Sequence, residues 1–258
     1  MLRRRRLLLV LRPAFLAALG LALAFAPGAR AARPAAAARP VDVALVLVTD
    51  VSASITRSEF TLEKQGYATA LQSRAFLAAI RHGMIGAIAV TYVEFAGAGQ
   101  VATVVGWHLI RDAASARTFT AALVAAPRSA IGRTAIGSGI AAATDDLAES
   151  GFTPTRRIID VCGDGNSNAG VPLANARAAA LKAGITINGL AIVHEHPPPW
   201  LAAHVNPPGG IVGFYRDNVI GGPGSFVMHV HDNEDFSTAM TRKLVLELAT
   251  RRALSPPH

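Results

Sequence analysis

Three oxygen-rich segments of this sequence are candidate ligands for a metal ion. The first is Asp50-Val51-Ser52-Ala53-Ser54, which places one carboxylate and two hydroxyls at alternate positions. The others are Thr134, in the run Ile131-Gly132-Arg133-Thr134-Ala135, and Asp164, in Gly163-Asp164-Gly165. Hard divalent cations take oxygen ligands, keep several waters and use few protein carboxylates. We therefore predict a site for Mg²⁺ or Mn²⁺, or less favourably Ca²⁺, with the metal ligands Asp50, Ser52, Ser54, Thr134 and Asp164.

Four flanking residues are predicted to complete this site. Arg133 precedes the threonine, Gly165 follows the second aspartate, and Asn166 and Asn168 come next. They are expected to orient the outer shell of the ion or to contact a partner, although Asn also favours turns for purely local reasons. Because few carboxylates leave the ion electropositive, Asp or Glu of a protein partner is expected to fill an open coordination position.

Helix capping is the alternative explanation for the same residues. Asp50 and Ser54 could cap the first helix and Thr134 a later one, while Asp164 stabilises a turn with Gly165. The pattern Asp-x-Ser-x-Ser is common by itself. Its combination with a threonine and a second aspartate at strand ends is specific, and this combination favours the metal site.

Runs of apolar residues indicate the elements that position these segments. Residues 41–50 form a near-continuous aliphatic run, typical of a strand covered on both faces, and residues 156–165 indicate another strand. Strands that alternate with helices predict an α/β, doubly wound fold, with a mostly parallel central sheet and helices on both faces. Ligands bind such sheets at the carboxyl ends of the strands. Asp50 and Asp164 should therefore converge.

The remaining elements alternate in the same way. Helices are predicted over 58–81, 112–124, 135–149, 173–183 and 232–254, and strands over 86–97, 100–110, 185–193 and 225–230. A short Gly-Ala-Gly turn between two of these strands favours an antiparallel hairpin, which gives the sheet one antiparallel edge strand. In the first helix the residues predicted to face inward are Phe60, Leu62, Tyr67, Leu71, Phe76 and Ile80.

With its motifs in this order, the chain resembles the von Willebrand factor A (VWA) domain. That family builds a metal-ion-dependent adhesion site from an Asp-x-Ser-x-Ser turn, a threonine in a later loop and an aspartate after a hydrophobic strand. The resemblance spans about residues 41–252. It implies a Rossmann-like fold and cation-dependent protein binding. More narrowly, AVTYVEFAG, GRTAIGSGI, RRIIDVCGDGNSNAG and GITINGLAIV resemble a bacterial exported subfamily with no assigned function.

The N-terminal residues are typical of an export signal. Residues 1–31 combine a basic start, an apolar stretch and a small-residue end at Ala29-Arg30-Ala31, which predicts a signal peptide cleaved after Ala31. An uncleaved anchor is the alternative, but the apolar stretch of about thirteen residues is shorter than the roughly 20 that span a bilayer. An Ala/Pro-rich linker over 32–40 and one domain over 41–254 should follow. We expect a periplasmic or secreted protein.

Charge and cysteine content argue against a nucleic-acid-binding protein and against a disulfide-stabilised protein. Removal of residues 1–31 takes away six arginines and no acids, so the formal charge falls from +8 to +2. The basic character therefore belongs mainly to the signal segment, and no nucleic-acid partner is expected. Cys162 is the single cysteine, so it cannot form an intramolecular disulfide, and we expect it to be a small buried hydrophobe.

Three functions remain compatible with the sequence. The leading hypothesis is an exported module that uses one divalent cation to hold a protein partner and has no catalytic residue. The first alternative is a metal-assisted hydrolase of a phosphate or other acidic substrate, because an open hard-metal site can activate water. The second alternative is a structural accessory in envelope assembly with a degenerate metal site.

Two histidine pairs are weaker candidates for metal binding. His229 and His231 would share one face of a strand, while His194 and His196 begin a Pro/Gly-rich loop. Neither pair has a third ligand at a recognised zinc spacing, so we do not expect a zinc site.

The insert 194–224 is longer than an ordinary connection between elements. Its aromatic residues Phe214 and Tyr215 are expected to be exposed. The insert is either part of a binding surface or an inert decoration at the sheet edge.

Overall fold

A six-stranded sheet forms the centre of the domain in the computed structural model, which describes residues 39–231 and 235–249. Its strands lie in the order β3-β2-β1-β4-β5-β6. β2 and β3 pair antiparallel, and the other neighbours pair parallel. The predicted doubly wound sheet with one antiparallel edge strand is confirmed. The strands are β1 (Arg39–Asp50), β2 (Ile88–Phe95), β3 (Val101–Ile110), β4 (Phe152–Gly163), β5 (Ile185–Val193) and β6 (Val227–His231).

The order of strands reverses between β1 and β4. From β1 the chain moves outward through β2 to β3, and it then returns to place β4 on the other side of β1. Such a switch point opens a crevice at the carboxyl ends of the two central strands. Asp50 ends β1 and Asp164 directly follows β4, so both aspartates lie at this crevice.

Helices cover both faces of the sheet. Successive side chains of a strand point to opposite faces, so Val43 and Leu45 of β1 pack under α1, α2, α3 and α8, whereas Ala44 and Val46 pack under α4, α5 and α7. This two-sided burial explains the aliphatic run of β1. The helices are α1 (Arg57–Gln72), α2 (Arg74–Arg81), α3 (Ala113–Ala125), α4 (Ile136–Ala148), α5 (Leu173–Lys182), α6 (Pro199–Val205), α7 (Gly210–Phe214) and α8 (Phe236–Ala249).

The prediction of one helix over 58–81 is wrong, because Ser73 separates α1 from α2. Ser73 has an extended backbone (φ −64°, ψ 148°), and its Oγ accepts a hydrogen bond from the Phe76 N–H at 3.1 Å. The apolar spacing continues across this break, so the pattern alone indicated one helix. Leu62 is 60% exposed, contrary to the prediction, whereas the other five predicted inward residues are buried.

The insert 194–224 is an integral part of the fold. It contains α6, α7 and a π-helical turn over Tyr215–Val219. Tyr215 is fully buried in the core beside α7, and Phe214 is half-buried. The predicted exposure of these aromatics is therefore wrong, because Tyr215 contributes to the core of the sheet.

A buried ionic cluster connects α8 to the sheet. Lys243 Nζ lies 2.5 Å from Asp160 Oδ1 of β4 and 2.7 Å from Glu247 Oε1. Glu247 Oε2 accepts a hydrogen bond from Asn188 Nδ2 of β5 at 2.5 Å. Burial raises the pKa of Glu247 to about 7. Burial would lower the pKa of Lys243, but the charges of Asp160 and Glu247 outweigh that effect and raise it.

Several predictions concern segments outside the described residues. These are the signal peptide 1–31, most of the linker 32–40 and the end of the last helix at 254. β1 begins at Arg39, two residues before the expected start at Val41. Within the described part of the chain, no helix has the length and apolar character needed to cross a membrane.

Candidate metal centre

The parallel pairing of β1 with β4 brings the two predicted aspartates to one edge of the sheet. Thr49 pairs with Cys162, which is buried as expected. Because these residues lie just before the ends of their strands, Asp50 and Asp164 emerge side by side. This convergence was expected from the doubly wound topology.

A chain of hydrogen bonds joins the two aspartates through the two serines. Asp50 Oδ1 accepts a bond from the Ser52 N–H at 2.7 Å. The hydroxyl oxygens of Ser52 and Ser54 are 3.0 Å apart, and Ser54 Oγ donates to Asp164 Oδ1 at 2.8 Å. The predicted ligands of the first and third segments are therefore in mutual contact.

Arg128, which the sequence reasoning missed, holds the loop that carries these serines. Its guanidinium donates to the carbonyl of Val51 at 2.6 and 3.1 Å, to that of Ser52 at 2.5 Å and to that of Ile55 at 3.0 Å. A planar guanidinium can satisfy several carbonyls in a fixed geometry. Arg128 thus fixes the backbone between Asp50 and α1.

Asp50 Oδ2 is buried, and no described residue supplies it with a hydrogen bond. Burial and the neighbouring charge of Asp164 raise the pKa of Asp50 well above its usual range, although the hydrogen bonds from Ser52 and the charge of Arg128 oppose this shift. A buried ionised carboxylate needs a compensating charge. This oxygen and the adjacent hydroxyls therefore fit a divalent cation.

Tyr215 of the insert packs close to Asp50 at Gly163. A Cβ built on Gly163 would lie 2.8 Å from Tyr215 Oη and 3.1 Å from Asp50 Oδ2. The absence of a side chain at Gly163 permits this close packing. Burial and the charge of Asp50 raise the pKa of Tyr215 well above its usual range, so its hydroxyl stays protonated at neutral pH.

Thr134 reaches the same crevice from the loop before α4. Its N–H donates to Asn168 Oδ1 at 3.0 Å, and its carbonyl accepts a bond from the Asn168 N–H at 2.8 Å. The Thr134 side chain is nearly inaccessible to solvent, and its hydroxyl oxygen lies 3.0 Å from His204 Nε2. Asn168 therefore positions Thr134, which is compatible with the outer-shell role predicted for it.

The helix-capping alternative for these residues is wrong. Thr56 caps α1, where its Oγ1 accepts a bond from the Glu59 N–H at 3.2 Å. α4 follows Ala135, which makes no side-chain cap bond. Helix capping therefore does not explain the placement of Asp50, Ser54 or Thr134.

Two histidines of the insert also reach the crevice. His194 Nε2 lies 3.0 Å from Asp164 Oδ2. His204 contacts Thr134 through Nε2, and its Nδ1 lies 2.7 Å from Asn166 Oδ1. Burial lowers the pKa of His204 despite the charge of Asp164. The sequence offered one signal for these contacts, namely that the insert begins where a central strand ends.

The four predicted flanking residues divide into two groups. Gly165 is buried against the His204 ring, which a Cβ at this position would overlap, and Asn166 and Asn168 also contact that ring. Arg133 is exposed at the rim, where its charge contributes to the lowered pKa of His204. Three of the four therefore surround one imidazole.

Glu63 adds a further buried acid beneath this region. It lies on α1, and burial together with the charges of Asp164 and Asp50 raises its pKa well above the usual range. The charge of Asp164 thus disfavours the ionisation of two other buried acids, Asp50 and Glu63.

The histidine pair on β6 does not gain the ligands that a zinc site would need. The rings of His229 and His231 are 5.3 Å apart, and His231 Nδ1 lies 3.3 Å from Glu195 Oε1. Among residues 39–231 and 235–249, no three His, Cys, Asp or Glu side chains are grouped so as to hold a metal ion. The candidate centre at the crevice accordingly depends on hydroxyls as well as carboxylates.

Comparisons with known proteins agree with this architecture. The family described as "Protein of unknown function (DUF1194)" matches residues 40–252. A search of curated proteins gives no match. Proximal thread matrix protein 1 from the mussel byssus, solved with a zinc-occupied MIDAS motif, has a TM-score of 0.56 and 18% identity, covering 83% of this chain and 50% of that chain.

Two bacterial structures are also similar. The open conformation of the pilus adhesin SpaC from Lactobacillus rhamnosus GG has a TM-score of 0.51 and 16% identity, covering 81% of this chain and 30% of that one. An aerotolerance-related membrane protein from Bacteroides fragilis was solved with multiple mutations to serines. It has a TM-score of 0.50 and 17% identity, and the match covers 78% of this chain and 98% of that chain. This chain thus spans half of the mussel protein's length. At these identities the similarity shows the fold, and the expected VWA-like fold is confirmed.

Proposed function

This chain belongs to the DUF1194 family, and we propose that it is a protein-binding module that depends on a divalent cation. The observation that carries this proposal is the convergence of Asp50, Ser52, Ser54 and Asp164 around a buried carboxylate oxygen with no described hydrogen-bond partner. Thr134 lies at the same crevice. Two buried acids that no described lysine or arginine pairs with directly are costly, and a bound cation would offset that cost.

The oxygen ligands suit Mg²⁺ or Mn²⁺, and Ca²⁺ less well, because the smaller ions accept few protein ligands and keep several waters. Ser52, Ser54 and Thr134 would hold the ion through their hydroxyls, while Asp50 and Asp164 supply the negative charge. When bound, the cation offers an electropositive centre that an acidic side chain of another protein can ligate.

The surface beside the serine loop supports an acidic partner. A groove of about 990 Å³ lies between this loop, α1 and the end of α3, and its charged lining residues are Arg57, Lys64 and Arg128. Exposed Ile131 lies at its edge and adds apolar surface. Positive potential next to the cation would steer an acidic segment toward the site.

We further propose that the protein is exported and acts in the periplasm or outside the cell. The basic start and the apolar stretch of residues 1–31 support this cellular location. The similar structures include a pilus adhesin and a matrix protein of the mussel byssus, which is compatible with an extracytoplasmic binding role.

The first test is isothermal titration of the purified protein with Mg²⁺ and Mn²⁺. We expect saturable binding to one site, and we expect its loss in Asp50→Asn and in Asp164→Asn. Asp145→Asn is the matched control, because Asp145 is an exposed acid on α4. Absence of binding in the wild type, or full binding in both site variants, would contradict the proposal.

The second test concerns the acid of the partner. An array of short peptides in matched pairs, Glu with Gln and Asp with Asn, would be probed with the labelled protein in Mg²⁺ and in EDTA. We expect retention by acidic members only, and only with the cation present. Retention that persists in EDTA, or that is equal on the amide members, would argue against a partner acid at the ion.

A further inference from the structure

The groove between the serine loop, α1 and the end of α3 adjoins the candidate metal centre. Ala53, which lies between Ser52 and Ser54, is exposed and lines this groove. Arg128 also lines it, and its guanidinium donates to the carbonyl of Ser52. A chain segment bound at the ion could therefore continue into the groove along the protein surface.

We propose that this groove holds an extended segment of the protein partner in which an aliphatic residue stands next to an acidic residue. Both residues are additional to the acid that would ligate the ion. This inference rests on the proposed function for that ligating acid, whereas binding in the groove can be tested with and without a metal. Three features of the groove support it, namely a basic face of α1, an apolar floor, and a lining in which no described residue is acidic.

One face of α1 supplies the basic side of the groove. The lining residues on this helix are Arg57, Phe60, Thr61, Lys64 and Gln65. Their spacing of three and four residues places the side chains on one face of the helix. Arg57 begins α1 and is exposed, whereas Lys64 lies about two turns farther along and is nearly inaccessible to solvent. The groove is thus lined by one exposed and one buried cation of the same helix.

The cations of the groove are not neutralised by acids of the described protein. Within residues 39–231 and 235–249, Arg57, Lys64 and Arg128 form no ion pair. Lys64 Nζ instead donates to the carbonyl of Ala126. Burial lowers the pKa of Lys64, and the charge of Glu94 only partly opposes this shift. An acid of the partner would supply the complementary negative charge.

The floor of the groove is apolar. Ile55 and Phe60 are buried there, in a small hydrophobic cluster separate from the two cores that flank the sheet. Val124 of α3 and Ile131 line the same groove and are 49% and 64% exposed, respectively. Burial of apolar surface is the main favourable contribution to most protein association. An aliphatic side chain of the partner would cover these two residues.

The termini of this chain are unsuited to the groove. Residues 1–38 contain seven arginines and residues 250–258 contain two, and neither segment contains Asp or Glu. Like charges would therefore oppose their approach to the basic lining. The groove volume of about 990 Å³ is at the upper end of the range of about 300 to 1,000 Å³ for ligand pockets. It suits several side chains of an acidic segment from another protein.

The test begins with selection of peptides on the purified full chain in Mg²⁺, from a phage-displayed library of random dodecapeptides. We expect the enriched peptides to carry an aliphatic residue beside an acid. Each would be labelled with fluorescein, and its affinity measured by fluorescence anisotropy for the wild type and for variants. No enrichment, or enriched peptides that lack this pair of residues, would overturn the proposal.

Charge reversal at Arg57 tests the basic face. We expect Arg57→Glu to lower the affinity of the enriched peptides about tenfold, because an attractive contact becomes a repulsive one. Arg74→Glu is the matched control, since Arg74 is an exposed arginine that begins α2 outside the groove. It should change the affinity by less than about twofold. Both variants change the net charge equally, so equal losses in the two, or no loss in Arg57→Glu, would refute docking in the groove.

Replacement of Ile131 tests the apolar contribution. We expect Ile131→Ser to lower the affinity about fivefold, because less apolar surface is buried on binding. Ile85→Ser, at an isoleucine that is 43% exposed elsewhere on the surface, should leave the affinity unchanged. Circular dichroism checks that each variant is folded, and the exposed Arg57 keeps the test valid if Ile131→Ser unfolds. An equal affinity in Ile131→Ser and wild type would remove the aliphatic contact from the proposal.

Repeating the measurements in EDTA separates this inference from the proposed function. Peptides whose binding depends on Arg57 and is equal in Mg²⁺ and EDTA would support the groove and contradict the dependence on a cation. Peptides that require Mg²⁺ but bind Arg57→Glu and Ile131→Ser as well as the wild type would refute the groove alone. A wild-type dimer that dissociates in Arg57→Glu, seen by analytical ultracentrifugation, would assign the groove to a second copy of this chain and overturn the proposal.

Discussion

Two clusters of buried acids lie on or beside β4, and they differ in the source of their positive charge. Asp160 and Glu247 face Lys243 of α8, which lies within 2.7 Å of both. Asp164, four residues farther along, lies near Asp50, and no described lysine or arginine forms an ion pair with either of them. The first cluster is neutralised by the protein itself and fixes a helix. The second cluster is as buried as the first, but its basic contact is His194, 3.0 Å from Asp164, and no described lysine reaches it, which makes it suited to an external ion.

The largest expected effect comes from removing the positive charge of the first cluster. Lys243→Met leaves Asp160 and Glu247 buried without a cation, and we expect a loss of about 3 to 5 kcal/mol in the free energy of unfolding. Urea unfolding followed by circular dichroism measures it. Lys182→Met, at an exposed lysine of α5, should change stability by less than about 0.5 kcal/mol. A loss below about 1 kcal/mol in Lys243→Met would mean that this cluster is not the anchor of α8.

The second effect is a pH dependence that belongs to the same cluster. The pKa of Glu247 is raised from its ordinary value of 4.5 to about 7, so the folded protein binds this proton more tightly than the unfolded chain does. Its contribution to stability is therefore full below pH 4.5 and is lost as the pH rises through about 7. We expect Glu247→Gln to remove a decline on the order of 1 to 3 kcal/mol across this range. Exposed Glu149→Gln is the control, and an unaltered pH profile in Glu247→Gln would refute the assignment.

The smallest expected effect on the free energy of unfolding has the opposite sign and concerns the cluster of Asp50 and Asp164. In EDTA at pH 8, Asp50→Asn removes a carboxylate whose ionisation is disfavoured by burial and by Asp164. We expect this variant to be more stable than the wild type by roughly 1 kcal/mol. Asp160→Asn should be less stable than the wild type, because Lys243 then loses a charged partner. Differential scanning calorimetry would show the contrast, and a shift of the same sign in both variants would remove the distinction between the clusters.

The strand ends could be predicted from the sequence because they follow from local composition. The aliphatic run of β1 is long and unbroken, and it ends at Asp50 as expected. The alternation of strands and helices then fixed which ends would be neighbours. Ser73 was missed because the apolar periodicity runs through the break between α1 and α2, and only the backbone conformation reveals its capping role.

The insert could not be predicted in the same way because its contacts are tertiary. Tyr215 is buried beneath Asp50 by the packing of a π-helical turn, which no short pattern in the sequence indicated. His204 and Arg128 reach the crevice from 40 and 36 residues away from Asp164, respectively. Their roles depend on where two loops return to the sheet. Sequence spacing identified the acids and hydroxyls of the candidate site, but not the groups that hold them in place.

The hydrogen bond between Ser54 and Asp164 has a consequence for when the proposed metal centre could acquire an ion. It joins residues 110 positions apart, so during synthesis Ser54 leaves the ribosome well before Asp164 does. His204 arrives later still. A site whose parts meet only in the finished fold takes its ion from the surroundings in which folding ends. The metal supply of that compartment, as well as intrinsic affinity, would then decide which ion the protein carries.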